Sequence, residues 1–297
     1  MMIFGDFERG SDANAMKRFC EGRGVRVEEF TCESIGDFEC VEQSTAEVEP
    51  DAVFHLASRP DLSEDAIAAN ARNIVSGTWN ICEAVRRRAP RARTFFAGSG
   101  SQFENRGRPI DENAPFTRNS AYALQQNQAV ETVRHFRGRG VKTYIGYLFH
   151  QESPFVRARD LALQLANDVL AVASGELDQI RIGDVRAEKE WCCPLEVAEG
   201  MWTLVGQDRV LEAVIGSGDA QPISRWLELC FDCVRLDWRD HVQLDDEDPP
   251  AFERMVSDPH TMRRLGWSSS ADLRALSARV MADAERCEGG TATFSRQ

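Results

Sequence analysis

The chain has 297 residues, 42% of them hydrophobic, enough to bury a large core as one α/β unit or as two closely joined lobes. Its formal net charge of −13 sets most of the exterior against nucleic acid and anionic membrane, yet a phosphorylated small ligand is still permitted where backbone N–H groups or a few arginines invert the local field. No stretch has the length of a bilayer-spanning helix, and the opening MMIFGDFERG lacks a basic flank followed by an apolar run, so the expected location is cytoplasmic, with no membrane partner.

In chain order, an apolar opening at Met1 to Phe4 leads into a helical stretch from about Ser11 to Glu21, a glycine stop at Gly22 or Gly24, and a second strand from Val25 to Phe30. Ala52 to Ala57 is a continuous apolar run after Pro50, the pattern of a strand buried on both faces. A long amphipathic helix from about Glu64 to Arg88 follows, then strand Thr94 to Ala97, helix Tyr122 to Arg137 and strand Thr143 to Phe149. This alternation demands parallel strands joined by crossover helices, hence an α/β fold with a doubly wound, Rossmann-like parallel sheet whose ligands sit at the carboxyl ends of the strands.

Beyond Phe149 the alternation loosens. A helix is expected around Ala158 to Ser174, a strand near Gln179 to Ile182, a helix from Pro194 to Val205, a strand at Glu212 to Ile215 and a helix at Ile223 to Val234. LDDEDPP (Leu244 to Pro250) reads as a solvated loop, and helices at Pro259 to Leu265 and Ala271 to Glu285 close the chain. The nine cysteines are an odd number and sit inside periodic segments, so most read as buried small hydrophobes rather than a disulfide framework. Cys230 and Cys233 have CxxC spacing, but in an apolar helical run with no second pair, so no metal is expected. His55 reads as a core histidine, and Cys192 and Cys193 as packing residues.

Several strings in this order resemble the extended short-chain dehydrogenase/reductases, most closely the GDP-mannose 4,6-dehydratases and their sugar-nucleotide relatives. They are PDAVFHLAS (Pro50 to Ser58), SGTWNICEAVR (Ser76 to Arg86), GSGSQFE (Gly98 to Glu104), SAYALQQ (Ser120 to Gln126), LFHQESP (Leu148 to Pro154), EKEWCCPLEVAEGMW (Glu188 to Trp202) and SDPHTMRRLGW (Ser257 to Trp267). The resemblance implies a nucleotide-binding domain over residues 1–176, with a return segment at about 207–236, and a smaller C-terminal substrate-binding lobe over 177–206 and 237–297. It also implies a nucleotide-sugar substrate, with GDP favoured.

In that family a tyrosine moves the proton of a sugar hydroxyl, and a lysine four residues on lowers its pKa and binds the nicotinamide ribose. Tyr122 stands in the tyrosine place and Gln126 in the lysine place. One helical turn separates them, so glutamine can hydrogen-bond a ribose there but brings no charge to favour a phenolate. Ser101 is aligned with the family's hydroxyl residue; the dehydratase glutamate should lie two positions on, where Phe103 stands, and a one-residue slip gives Gln102, also no acid. Losing that carboxylate speaks against elimination of water. Ser99, Gln102, Lys189 and Trp191 are the expected substrate-binding residues. His150 and Glu152, at the end of a parallel strand, join Tyr122, Ser101 and Gln126 as the expected catalytic set.

The cofactor loop departs from its fingerprint, whose glycines serve a tight turn, close approach to the pyrophosphate and helix packing. Aligned without a gap these places are Phe7, Gly10 and Ala13, and Gly5 serves as first glycine only with an insertion, with Phe7 then crowding the cradle. Asp37 matches the adenine-contacting aspartate, Ala57 lies at a strand end facing the cofactor, and the acidic stretch Glu28 to Glu33 favours NAD over NADP. Asp248 stands in the place of a diphosphate-binding arginine, and Lys189 in that of an arginine, keeping charge but not the bidentate fork. The insertion that follows ESP in the dehydratases is absent, so a homodimer through the helices bearing Trp79 and Tyr122 is expected.

Three readings follow. The first is a non-redox isomerase (epimerase, tautomerase or pyranose-furanose mutase) of a nucleotide-linked hexose. The second is an NAD-dependent dehydratase or epimerase with atypical motifs. The third is an inactive relative that binds a nucleotide sugar or a partner.

Overall fold

The structure, a computed structural model, describes residues 1–7, 11–58, 63–149, 161–244, 253–270 and 272–288. Strand β1 (Met2–Gly5) opens the chain and is buried along its whole length. Helix α1 (Asp12–Glu21) starts at Ser11, whose side chain accepts from the Asn14 N–H, and ends at Gly22. The second strand, β2 (Glu28–Phe30), is shorter than the apolar run predicts, because the Val25 N–H turns back to the Cys20 carbonyl and is spent closing α1. A short helix α2 (Cys32–Ile35), α3 (Phe38–Val48) and β3 (Ala52–Leu56) follow.

The expected long helix over 64–88 is one helical run with an irregular centre: α4 (Glu64–Asn70), a π-helical stretch (Ala71–Ser76) and α5 (Gly77–Arg88). Gly77 is required where this run crosses α2. A Cβ there would lie 2.1 Å from Ile35 Cγ2, closer than atoms can approach. Next come β4 (Arg93–Ser99), α6 (Ala121–Arg137), capped by the Ser120 side chain, and β5 (Lys142–Leu148). After α7 (Leu161–Ser174), β6 (Ile180–Ile182), β7 (Glu188–Glu190) and α8 (Pro194–Val205), strand β8 (Glu212–Ile215) returns to the sheet. β9 (Ala220–Pro222), α9 (Ile223–Val234), α10 (Trp238–His241), β10 (Val242–Leu244), α11 (His260–Arg264) and α12 (Leu273–Glu288) complete the described chain.

Six strands form one parallel sheet in the order β2-β1-β3-β4-β5-β8. The chain leaves β1 toward β2 on one side and comes back to β3 on the other, so the sheet reverses direction between β1 and β3 and opens a crevice above Gly5 and Leu56, which are paired in register. One face packs on α3, α5 and α6 through Val53, Ile81, Val85, Val130 and Ile145. The other packs on α1 and α8 through Met16, Phe54, Phe95, Ala198 and Met201. No described helix is long and apolar enough to cross a membrane.

A third apolar cluster joins α7, α9 and α12 with β6, including Val169, Leu170, Trp226, Phe231, Val280 and Met281. Helices α7 and α9, which the resemblance assigns to the nucleotide-binding part, bury their apolar stripes against α12. β8, in contrast, hydrogen-bonds to β5 within the main sheet.

Candidate active site

At the carboxyl ends of β3 and β4, side chains from three elements converge on one phenolic oxygen. Ser120 caps α6 by accepting from the Ala123 N–H at 3.1 Å, which fixes the first turn of the helix and with it Tyr122. Gln126, one turn on, donates from Nε2 to Tyr122 Oη at 3.0 Å, and both residues are buried. The hydroxyls of Ser58, just past β3, and Ser99, the last residue of β4, lie near enough to the phenol to favour its ionised form. Burial pushes the Tyr122 pKa up, more than Ser58, Gln126 and Ser99 pull it down, and the carboxylate of Asp12 adds to the rise. Tyr122 is therefore a neutral acid at pH 7.

The hydroxyl partner of the tyrosine is Ser99, not Ser101. Ser101 is exposed, and its described contact is the backbone N–H that donates to Ser99 Oγ at 3.2 Å, so the alignment shifts by two residues. Ser101 then stands two positions after the hydroxyl, where the elimination acid is expected, and it is no acid either. Phe103 is turned into the core against Phe116 and Tyr147.

Two expected substrate contacts are structural. Gln102 is fully buried: its Oε1 accepts from the Ser99 N–H at 2.9 Å and its Nε2 donates to Asn127 at 3.3 Å, so it holds the end of β4 and offers nothing to a sugar. Trp191 stacks flat on Trp226, 4.6 Å between rings, and donates its indole N–H to the Gln221 carbonyl. Lys189 is 8% exposed, with its ammonium 4.6 Å above the Trp191 ring. Gly10, His150, Glu152 and Asp248 lie outside the described residues.

On the cofactor side, Gly5 and Ala13 meet at the crossing of β1 and α1. A Cβ on Gly5 would sit 2.6 Å from Ala13 Cβ, so a glycine on the strand is what lets alanine replace the third glycine of the fingerprint on the helix. Phe7 is partly buried and packs against the apolar cluster beside α1, so the ring is drawn toward the core rather than into the cradle. Asp37 caps α3: its Oδ1 accepts from the Glu39 N–H at 2.9 Å, leaving the second oxygen of an exposed carboxylate for a ligand. Asp37 fits the adenosine half of a dinucleotide, and Gly5 with Ala13 keeps the close strand–helix approach of the fingerprint. Two others fit the phosphates less well, since Ser11 already takes the Asn14 N–H and Asp12 puts negative charge in the first turn of α1. None of the three lysines substitutes for the missing ammonium: Lys17 pairs with Glu29, Lys142 with Asp208, and Lys189 stands over Trp191.

Two further features were not singled out by the sequence: Ser58, which sits within a recognisable string but carries no signal of its own, and Asp12, whose charge reaches the phenol only through the fold. Five of the described cysteines are buried packing residues, while Cys40 and Cys233 are exposed; burial drives the thiol pKa values of Cys192 and Cys230 up. Among the described residues no group of three or more His, Cys, Asp or Glu is arranged to hold a metal ion.

Comparison with known proteins agrees with this fold. Residues 12–280 match the family described as GDP-mannose 4,6 dehydratase. GDP-mannose 4,6 dehydratase 1 of Arabidopsis thaliana is 25% identical over 253 residues, 80% of this chain and 68% of its own. The human GDP-mannose 4,6 dehydratase is 24% identical over 201 residues, 66% of this chain and 54% of its own. The chain therefore spans about half to two thirds of these relatives' length. Among solved structures, RMD from Pseudomonas aeruginosa complexed with NADPH superposes with a TM-score of 0.81 at 15% identity, covering 96% of this chain and 98% of that one. UDP-glucose 4-epimerase of Thermus thermophilus in complex with NAD gives a TM-score of 0.79 at 16% identity, covering 98% and 100%. With the doubly wound sheet, the tyrosine at the head of α6 and a family match over most of its length, this chain belongs to the GDP-mannose 4,6 dehydratase family of the extended short-chain dehydrogenase/reductases.

Proposed function

We propose that the protein is a nucleotide-sugar epimerase, with a GDP-linked hexose favoured, in which Tyr122 exchanges a proton with a sugar hydroxyl lying between it and Ser99. The observation that carries this reading is the phenol of Tyr122, buried, neutral and hydrogen-bonded by Gln126, with Ser58 and Ser99 close by at the carboxyl ends of β3 and β4. The family match supports a dehydratase or epimerase. Between those two, the absence of a carboxylate at Ser101, Gln102 or Phe103 favours epimerisation, because loss of water beside a keto group needs an acid there.

NAD is the cofactor we assign to this reading, held by Asp37 at the adenosine, by the turn after Gly5 with Ala57 at the neighbouring strand end, and by Gln126 at the ribose. The chemistry supplied there when it is bound is reversible uptake of a hydride from the sugar ring. The chain's own part is to hold the sugar hydroxyl against Tyr122 and Ser99 and to pass its proton through the phenol. Since Gln126 brings no charge, the phenolate formed in that transfer depends on neutral donors.

Isomerisation with no hydride transfer is the second reading, and the neutral Gln126 beside Tyr122 is what favours it. The two separate in one assay. The purified protein is incubated with GDP-, UDP-, CDP- and dTDP-hexoses, with and without NAD, and the sugar is followed by proton NMR while nicotinamide absorbance is recorded. Conversion that requires NAD supports the first reading and conversion without any nicotinamide the second; no conversion and no binding of any of them removes both. We further propose a homodimer through α5 and α6, where Trp79 and Leu124 stand 50% and 43% exposed.

A further inference from the structure

Among the described residues, His55 is a titratable group close to the site that this chemistry leaves unused. It sits near the end of β3, 4% exposed, and neither ring nitrogen has a well-formed hydrogen bond, although the Asn73 backbone comes near the ring. Its described aromatic neighbour, Phe96, meets it edge-on at 5.7 Å and offers no acceptor. Buried polar atoms without partners are rare in folded proteins and call for an explanation.

The ring faces a small cavity, with room for about one water molecule, lined by His55, Ser58, Thr78, Ile74, Ala129 and their neighbours. Three of these residues are polar, which matches the roughly three hydrogen bonds of a typical buried water. Ile74 and Ala129 also pack on Tyr122, so the cavity shares two of its walls with that ring, and Ser58 lies at both: it lines the cavity and acts on the phenol.

We propose that this cavity binds one structural water, held by a ring nitrogen of His55 and the hydroxyls of Thr78 and Ser58, and that His55 is thereby a positioning residue for Tyr122. The inference rests on the role given to Tyr122 above. Burial holds the imidazole neutral, with its pKa lowered to about 4, so at pH 7 it carries one N–H to donate. With its N–H toward the nearby Asn73 backbone, the histidine accepts from the water through its other nitrogen, the water gives its second proton to Ser58 Oγ, and the single Ser58 proton is left to point at Tyr122 Oη. With Gln126 donating to the same oxygen from the other side, the phenol's own proton is turned toward Ser99 and the crevice. Two neutral donors on one oxygen then stabilise a phenolate where a lysine is missing.

The chain has only three tyrosines, Tyr122, Tyr144 and Tyr147, so their ring carbons can be labelled and read individually, and Tyr122→Phe identifies the signal of interest. His55→Leu keeps the volume and removes both ring nitrogens. It is expected to shift the Tyr122 Cζ resonance at pH 7 and to raise the Tyr122 titration, with Tyr144 and Tyr147 unmoved; His55→Asn, which can still hold a water, is expected to stay near wild type. An unchanged Tyr122 resonance in a cooperatively folding His55→Leu protein overturns the proposal. A crystal structure of the unaltered protein provides the second arm: ordered water density between His55 and Ser58 supports it, and an empty cavity overturns it even if His55→Leu fails to fold. Neither measurement uses a substrate. If the water and the shift are found but Tyr122→Phe leaves sugar conversion intact, the water site stands and the proposed function falls.

Discussion

The Tyr122 oxygen is the point at which a single residue decides the chemistry. Replacing it with phenylalanine removes one hydroxyl and little volume, so a nucleotide sugar should still raise the melting temperature while conversion falls by about 10²- to 10⁴-fold, the usual worth of a positioned proton donor. Gln126→Lys tests the same oxygen from the other direction. A cation one turn away should lower the Tyr122 pKa, read as earlier phenolate absorbance in an alkaline titration, and should tighten NAD if the ribose lies at this position. Glu190 is a different kind of residue. Fully buried on β7, its carboxylate accepts from the backbone N–H groups of Ser217, Gly218 and Ser257, binding the turn after β8 to the segment before α11. Glu190→Ala strands one buried donor and two half-buried ones, and a loss of about 3 kcal/mol in a urea unfolding curve is expected; a loss below about 1 kcal/mol would show that those amides find other partners.

At the scale of elements, α6 is bound to the sheet by a cluster remote from the crevice. Glu212, the first residue of β8, accepts from Arg134 at 2.7 Å, Arg137 at 2.6 Å and Tyr147 at 2.8 Å. Burial alone would raise its pKa, but these hydrogen bonds outweigh it and hold the carboxyl at about 2. A group depressed in the folded state stabilises above its unfolded pKa, near 4.5, and loses that contribution as the pH falls toward 2. Acid unfolding should therefore steepen between those values, by about 2 to 3 kcal/mol at most, and Glu212→Gln should flatten that part of the curve. The same elements show what the sequence made legible. Buried parallel strands such as Ala52 to Ala57 and the amphipathic period of α6 declare themselves, because their apolar spacing is set by the sheet and helix they must fit. β7, β9 and β10, with three residues each, are too short to carry a period. The π-helical stretch at Ala71 to Ser76 has no local signal, since it depends on what packs against it. The site was half legible for the same reason: Tyr122 and Gln126 are fixed by helical spacing, whereas the choice of Ser99 over Ser101, and the burial of Gln102 and Trp191, are settled by the way β4 ends and by the stacking of Trp226.

For the molecule as a whole, the proposed dinucleotide site is unequal in its two halves. The crossing of β1 and α1 at Gly5 and Ala13 retains the close approach that brings a helix N-terminus to the crevice, and Asp37 retains a carboxylate oxygen beyond the one that caps α3. Against this, Asp12 and the Ser11 cap weaken the pull on phosphate, and Gln126 leaves the ribose without a cation. The adenosine contacts should then contribute most of the affinity, and NAD, adenosine diphosphate and adenosine monophosphate should bind more alike than in a relative with the full fingerprint. A ligand present at 100 times its Kd stabilises the folded state by about 2.7 kcal/mol, which for a chain of this size is roughly 4 °C in melting temperature. Thermal shifts measured across a concentration series of the three nucleotides give the comparison directly. Similar midpoints for all three are the expected result, and Gln126→Lys should separate them by favouring NAD alone. A Kd for NAD more than about 100-fold below that of adenosine diphosphate in the unaltered protein, about 2.7 kcal/mol of extra binding, would mean that the nicotinamide half is gripped after all, by residues other than Gln126.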